Sequence, residues 1–221
     1  MSKAIEKPVK QLWTPRGAKE INVAPKSKTV GRLPRVVVGL PSRGTMPAAF
    51  VQAMDVALQG VGGLYLIRKV YAERNIPDDA RNEIAKTALE QEADFVFFMD
   101  TDMTFPVGCL PQMLNTRFSL ENDLTVMGGV YCRQAGEHNW HVYEWIKEDD
   151  GWRSMAFPLY SGLKKVDAIG TGCMLIDMGV FRELKYPWFE YRYRDHETRG
   201  WERMSEDMVF CKKCMDAGIR M

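Results

Sequence analysis

The chain has 221 residues, 46% hydrophobic and 27% charged, a mixture that supports one well-packed domain and excludes global disorder. Lys and Arg number 30 against 29 Asp and Glu, so there is no broad basic footprint and nucleic acid is not an expected partner. The five cysteines, Cys109, Cys132, Cys173, Cys211 and Cys214, are odd in number and scattered. That favours reduced thiols over a disulfide framework and makes the cytoplasm the expected location.

No window approaches the roughly 18 consecutive apolar residues of a membrane-spanning helix, and the start MSKAIEKPVKQLW lacks a signal-peptide core. Residues 1–34 read as a basic arm. Lys3, Lys7, Lys10, Arg16, Lys19, Lys26, Lys28 and Arg32 face only Glu6 and Glu20, and Pro8, Pro15, Pro25 and Pro34 break any periodicity. Such a composition suits a solvated tail or a strap over a surface. One domain is expected over 35–221.

Order begins at RVVVGL (35–40), a β-branched run that reads as a buried strand and stops at Pro41-Ser42-Arg43-Gly44. From Pro47 to Leu58 apolar residues recur at helical spacing, with Pro47 suited to a first turn. GLYLIRKVY (63–71) alternates like a strand, and ARNEIAKTALEQEA (80–93), preceded by Asp78 and Asp79, predicts a second helix with acids in its first turn. FVFFM (95–99) is apolar throughout, as a strand buried on both faces is, so the first hundred residues predict an α/β layer with a parallel sheet.

Downstream the pattern predicts a short helix (Val107–Leu114), a strand LTVMGGVYC (124–132) and a hairpin over residues 140–157 turning at Asp150-Gly151. VDAIG and CMLID follow as strands, then the aromatic segment YPWFEYRYRDHETRGW (186–201) and a capped amphipathic helix, SEDMVFCKKCMDAG (205–218). This second half is mixed rather than purely parallel.

Open α/β sheets bind ligands beyond the carboxyl ends of their strands, where both Pro41–Gly44 and Asp100-Thr101-Asp102 fall. Two carboxylates at i and i+2 of a strand end point to one side and offer hard oxygens to Mg²⁺ or Mn²⁺. Acids also close apolar strands simply because the chain returns to water. Ser205-Glu206-Asp207 is equally double: an N-cap with first-turn acids, or the seat of a general base if one carboxylate reaches an acceptor hydroxyl.

In this order the segments resemble the family 2-like glycosyltransferases of the GT-A fold, which use nucleotide-sugar donors. The likeness runs over about residues 35–220. LPSRG, with Pro41, Ser42 and Arg43, resembles the donor-nucleotide loop, and Ala80-Arg81-Asn82 resembles a helix start near the nucleotide. FFMDTDM resembles the metal-binding strand end, GGVY (128–131) and IGTGCMLI (169–176) the acceptor-side strands, and SEDMVFCKKCMDAGI the acidic helix that carries the base.

The resemblance implies a Rossmann-like mixed sheet with helices on both faces. It implies that Asp100 and Asp102 hold Mn²⁺ or Mg²⁺ against the diphosphate of a UDP- or GDP-type donor, with Asp100 and Thr101 also contacting the donor. Asp207, with Glu206 as second choice, would take the proton from the hydroxyl of a glycan or other acceptor, giving inversion. Members of this family often carry a further histidine ligand on a strand after the acidic helix. The chain ends at Met221, and none of its three histidines, His138, His141 and His196, sits at that place.

Rival expectations share the same residues. D-x-D-x-T after an apolar strand also resembles haloacid-dehalogenase-like phosphatases, with Asp100 as nucleophile and Asp102 as acid/base. A binding module that keeps the fold and recognises nucleotide or glycan without turnover is the third reading. The aromatic and basic residues of 188–201 suit either a lid or a packed loop, and Cys211 and Cys214, one helical turn apart with no second ligand pair, read as packing residues rather than zinc ligands.

Overall fold

The alternation within three strands sets the layers. In the computed structural model, which describes residues 32–73, 76–120, 125–131, 140–148, 150–155, 162–196 and 200–221, β1 (Arg35–Ser42) sends Val36, Val38 and Leu40 to one apolar cluster and Val37 to another. Strand β3 (Phe95–Met99) divides in the same way, Phe95, Phe97 and Met99 against Val96 and Phe98, as does β8 (Cys173–Asp177), Cys173 and Leu175 against Met174 and Ile176. A strand places successive side chains on opposite faces, so a continuous apolar run requires cover on both. Helices α1 (Ala48–Ala57) and α3 (Cys109–Ser119) supply Phe50, Met54, Leu110 and Leu114 on one face. On the other, α2 (Pro77–Glu90), α4 (Met178–Glu183) and α5 (Glu206–Asp216) supply Ile84, Phe181 and Phe210.

The five-stranded sheet has the order β2-β1-β3-β8-β4, with β2 at Leu66–Glu73 and β4 at Val126–Gly128. β1 runs parallel to both β2 and β3, and β8 runs antiparallel to β3 and to β4. The parallel first half and mixed second half expected from the sequence are both present. Helix α2 approaches the sheet closely because Gly39 has no side chain: a Cβ there would lie 2.6 Å from Ile84 Cγ2.

A three-stranded antiparallel sheet, β6-β5-β7, combines β5 (Val142–Ile146), β6 (Gly151–Ser154) and β7 (Ala168–Ile169). Its β5–β6 turn passes through Asp150, whose φ of +42° is the left-handed conformation that Asp tolerates. One expectation needs correction. Among the described residues of LTVMGGVYC the strand runs over Val126–Gly128 alone; Gly129 still donates its N–H to the Cys173 carbonyl of β8, and Val130 and Tyr131 lie beyond the strand.

The aromatic segment, read as either a lid or a packed loop, is packed at its start. Trp188 and Phe189 are buried, at 6% and 0% exposure, while β9 (Arg192–His196) and β10 (Gly200–Met204) pair as an antiparallel hairpin. The Phe189 ring stacks on Phe210 at 4.5 Å and meets Phe98 edge-on at 5.6 Å, so the start of this segment is core. The basic arm up to residue 31, Leu124, Cys132, His138 and the end of the predicted hairpin at 156–157 lie outside the described residues. Among the described residues no helix is long and apolar enough to cross a membrane.

Candidate active site

Helix α2 carries an arginine on its buried face. Arg81, Ile84, Ala85 and Ala88 follow helical spacing and all are buried, and the Arg81 side chain is 4% exposed. A buried guanidinium requires acceptors. Arg81 donates through one terminal nitrogen to Asp100 Oδ1 and through the other to Glu206 Oε1, each at 2.8 Å. The end of β3 and the start of α5, 106 residues apart in sequence (206 minus 100), are thereby fixed to one another.

Asp102 and Asp207 lie within electrostatic reach of the same pair. Burial raises the Asp100 carboxyl above the usual range; Arg81 opposes that, Asp102 and Glu206 add to it, and His141 opposes it. Burial alone would lower Arg81, but Asp100, Glu206 and Asp207 together outweigh it and hold the guanidinium charged. Asp100 and Glu206 thus bind the guanidinium and Asp207 lies within its field, while Asp102 acts on Asp100, so carboxylates outnumber the guanidinium in a partly desolvated place. Asp100 keeps 30% of its side-chain surface open, and Asp102 is exposed.

The two acids at the start of α5 have different surroundings. Glu206 is 7% exposed and bound to Arg81, and it lies near the Tyr191 hydroxyl, which is pushed up to about 12 by burial and then by Glu206. Asp207 is half-buried, and its Oδ1 accepts the Ser205 hydroxyl and, at 2.9 Å, the Met208 N–H. Ser205 stands at the N-cap position as expected, yet its hydroxyl makes no capping bond to the backbone; it is turned to Asp207 instead.

The first-strand loop lies alongside. Gly39 pairs with Phe98, so Pro41 and Asp100 each stand two residues beyond that couple on adjacent parallel strands. Ser42 is buried and its Oγ accepts the Gly44 N–H at 3.1 Å, with Gly44 at a φ of +103° that favours glycine. Arg43 is exposed and Thr101 half-buried. Among the described residues no hydrogen bond or ion pair joins Ser42 or Arg43 to Asp100 or Asp102.

Asn82, next to Arg81, does something the sequence reading did not assign. Its Nδ2 donates to the Phe189 carbonyl at 2.7 Å, and its Oδ1 accepts the Trp188 and Phe189 N–H groups at 3.1 Å. It clamps the segment leading into β9. Tyr131 and Tyr191, which the sequence reading placed only within GGVY and the aromatic segment, stand beside the acids of the site. A signal for Arg81 was available: an arginine in phase with Ala80, Ile84, Ala85 and Ala88 on an otherwise apolar face asks for a buried acid.

Among the described residues no group of three or more His, Cys, Asp or Glu side chains is placed to hold a metal ion. The carboxylates of Asp100 and Asp102 offer hard oxygens of the kind divalent cations take, but these two alone fall short of such a group. Cys211 and Cys214 are fully buried in the core, and the Cys211 thiol donates to the Ile169 carbonyl.

No family model and no curated protein matches this chain. Among solved structures, the crystal structure of A197 from STIV is similar at 18% identity, over 85% of this chain and 80% of that one, with a TM-score of 0.55. That likeness is one of fold: a mixed α/β sheet flanked by helices, followed through most of both chains.

Proposed function

We propose that the chain is a GT-A-type glycosyltransferase that uses Mn²⁺ or Mg²⁺ to move a sugar from a UDP- or GDP-type nucleotide-sugar to the hydroxyl of a glycan or other acceptor, with inversion, in the cytoplasm. One observation carries the reading: the buried guanidinium of Arg81 ties Asp100, at the carboxyl end of β3 and within the field of Asp102, to Glu206 at the start of α5, with Asp207 also within its field. A surplus of carboxylates there attracts a divalent cation and, through it, a diphosphate.

Asp100 and Asp102 would hold the cation, which when bound supplies charge stabilisation to the leaving diphosphate. Arg81 does not contact the donor in this reading; it fixes the directions of Asp100 and Glu206. Glu206 is buried and spent on Arg81, which leaves the half-buried Asp207 as the general base. Ser205 holds Asp207 Oδ1, and the second carboxylate oxygen takes the proton from the acceptor hydroxyl. Pro41, Ser42, Arg43 and Thr101 border the place the nucleotide would occupy.

The test is release of nucleoside diphosphate from a panel of nucleotide-sugars with Mn²⁺, in wild type and Asp207→Asn. The reading expects release with one donor, its loss in the variant, and retained donor binding. Unchanged turnover in the variant removes the base assignment. Phosphate release from a generic monoester would instead support the phosphatase, and donor binding without turnover on any acceptor the binding module.

A further inference from the structure

Gly172 lies between Asp100 and a tyrosine hydroxyl. Its carbonyl accepts the Asp100 N–H at 3.0 Å, and its own N–H donates to Tyr131 Oη at 3.0 Å. Two glycines make room for that phenol: a Cβ on Gly170 would lie 2.2 Å from Tyr131 Oη, and one on Gly172 2.9 Å. The ring also rests against His141, with centroids 4.7 Å apart. The His141 N–H donates to the Tyr131 carbonyl and the Gly170 N–H to the His141 carbonyl, both at 3.0 Å.

Packing does not account for the hydroxyl, since phenylalanine would fill the same notch without the cost of desolvating a phenol. What the hydroxyl adds is an acceptor for the Gly172 N–H, a backbone group that the pleat of β8 does not reach. Burial raises the Tyr131 phenol, and the Asp100 and Asp207 carboxylates raise it further, so it stays neutral at ordinary pH and keeps this bond.

We propose that Tyr131 is a positioning residue for Asp100, acting through Gly172: the phenol fixes the 171–172 peptide by its N–H, and the adjoining 172–173 peptide, whose carbonyl accepts the Asp100 N–H, fixes the backbone from which the Asp100 carboxylate projects. Its functional consequence rests on Asp100 being a cation ligand. Outer hydrogen-bond partners of metal ligands commonly govern affinity by about 10–100-fold, and Tyr131 reaches the carboxylate through two successive peptide units and the Asp100 backbone.

Two measurements on wild type and Tyr131→Phe decide it. Amide hydrogen exchange should speed up about tenfold at Gly172 and Asp100 while Val96, Phe97 and Phe98 in mid-β3 are unchanged, because the opening is local. The Mn²⁺ Kd in the presence of nucleoside diphosphate, read by electron paramagnetic resonance, should rise about 10–100-fold. Gly170→Ala, which displaces the phenol without deleting its hydroxyl, should give the same pattern.

Unchanged exchange at Asp100 in both variants would overturn the proposal. So would equal acceleration throughout the sheet, which would make Tyr131 a packing residue, or local acceleration with an unaltered Mn²⁺ Kd. Wild-type protein that binds no Mn²⁺ would sink the cation reading and the functional half of this proposal with it. Exchange at Asp100 would still decide the backbone coupling.

Discussion

Removing Arg81 should be among the most destabilising single changes in this protein. Arg81→Met keeps most of the buried stem and deletes both ion pairs. The Glu206 side chain, 9% exposed, then loses its ion-pair partner in a buried place, while Asp100, at 30%, still reaches water. Breaking a buried pair by deleting one partner costs about 3–5 kcal/mol, and most of that cost falls on Glu206. At about 2–4 °C per kcal/mol for a domain of this size, the melting temperature should fall by about 6–20 °C. Adding Glu206→Gln removes the stranded charge, so the double variant should be more stable than Arg81→Met alone. Urea and thermal denaturation of wild type, both single variants and the double variant give the full cycle. A loss below about 1 kcal/mol, or no recovery in the double variant, would refute the account of a guanidinium held by two acids.

Three further outcomes follow from particular contacts. Asn82→Ala leaves the buried Trp188 and Phe189 N–H groups and the Phe189 carbonyl without their partner, and should cost about 2–4 kcal/mol in urea unfolding. Gly39→Ala drives a methyl into Ile84, 2.6 Å away, and should cost about 1–3 kcal/mol in the same assay. Glu190 is raised by burial, but hydrogen bonds from Lys213 and Arg192 outweigh that and hold its carboxyl below the usual range. Its contribution is therefore present above the unfolded pKa and lost as pH falls through the lower folded value. Glu190→Gln should lower stability by up to about 1 kcal/mol at pH 7, and the gap to wild type should close in acid; a gap that widens in acid would reverse the sign.

Much of the fold was legible because its signals are local. The apolar runs of β1 and β3, the Asp150-Gly151 turn and the Ser205 helix start all carry their meaning within a few residues. Asp100, Asp102 and Asp207 were legible as candidates for the same reason, since acids at the ends of apolar elements stand out against their neighbours. What escaped depends on contacts distant in sequence. Arg81 stood out only through its motif, and its two acceptors, which come from β3 and α5, leave no local trace in the sequence. The Asn82 clamp on residues 188–189 joins segments more than a hundred residues apart, and without it YPWF looks like a loop although Trp188 and Phe189 are core. Ser205 could be placed at the N-cap, but only coordinates could assign its hydroxyl to Asp207 rather than to the backbone.

The central claim, a cation-and-diphosphate site at Asp100 and Asp102, is tested most directly by thermal shift with nucleoside diphosphates, each with and without Mn²⁺, on wild type and Asp102→Asn. A ligand at about a hundred times its Kd stabilises the folded state by about 2.7 kcal/mol, which at this size is about 5–11 °C. The account predicts a shift of that order for one nucleotide base only when Mn²⁺ is present, and its loss in Asp102→Asn. No metal-dependent stabilisation by any nucleoside diphosphate, or an equal shift in the variant, would contradict it.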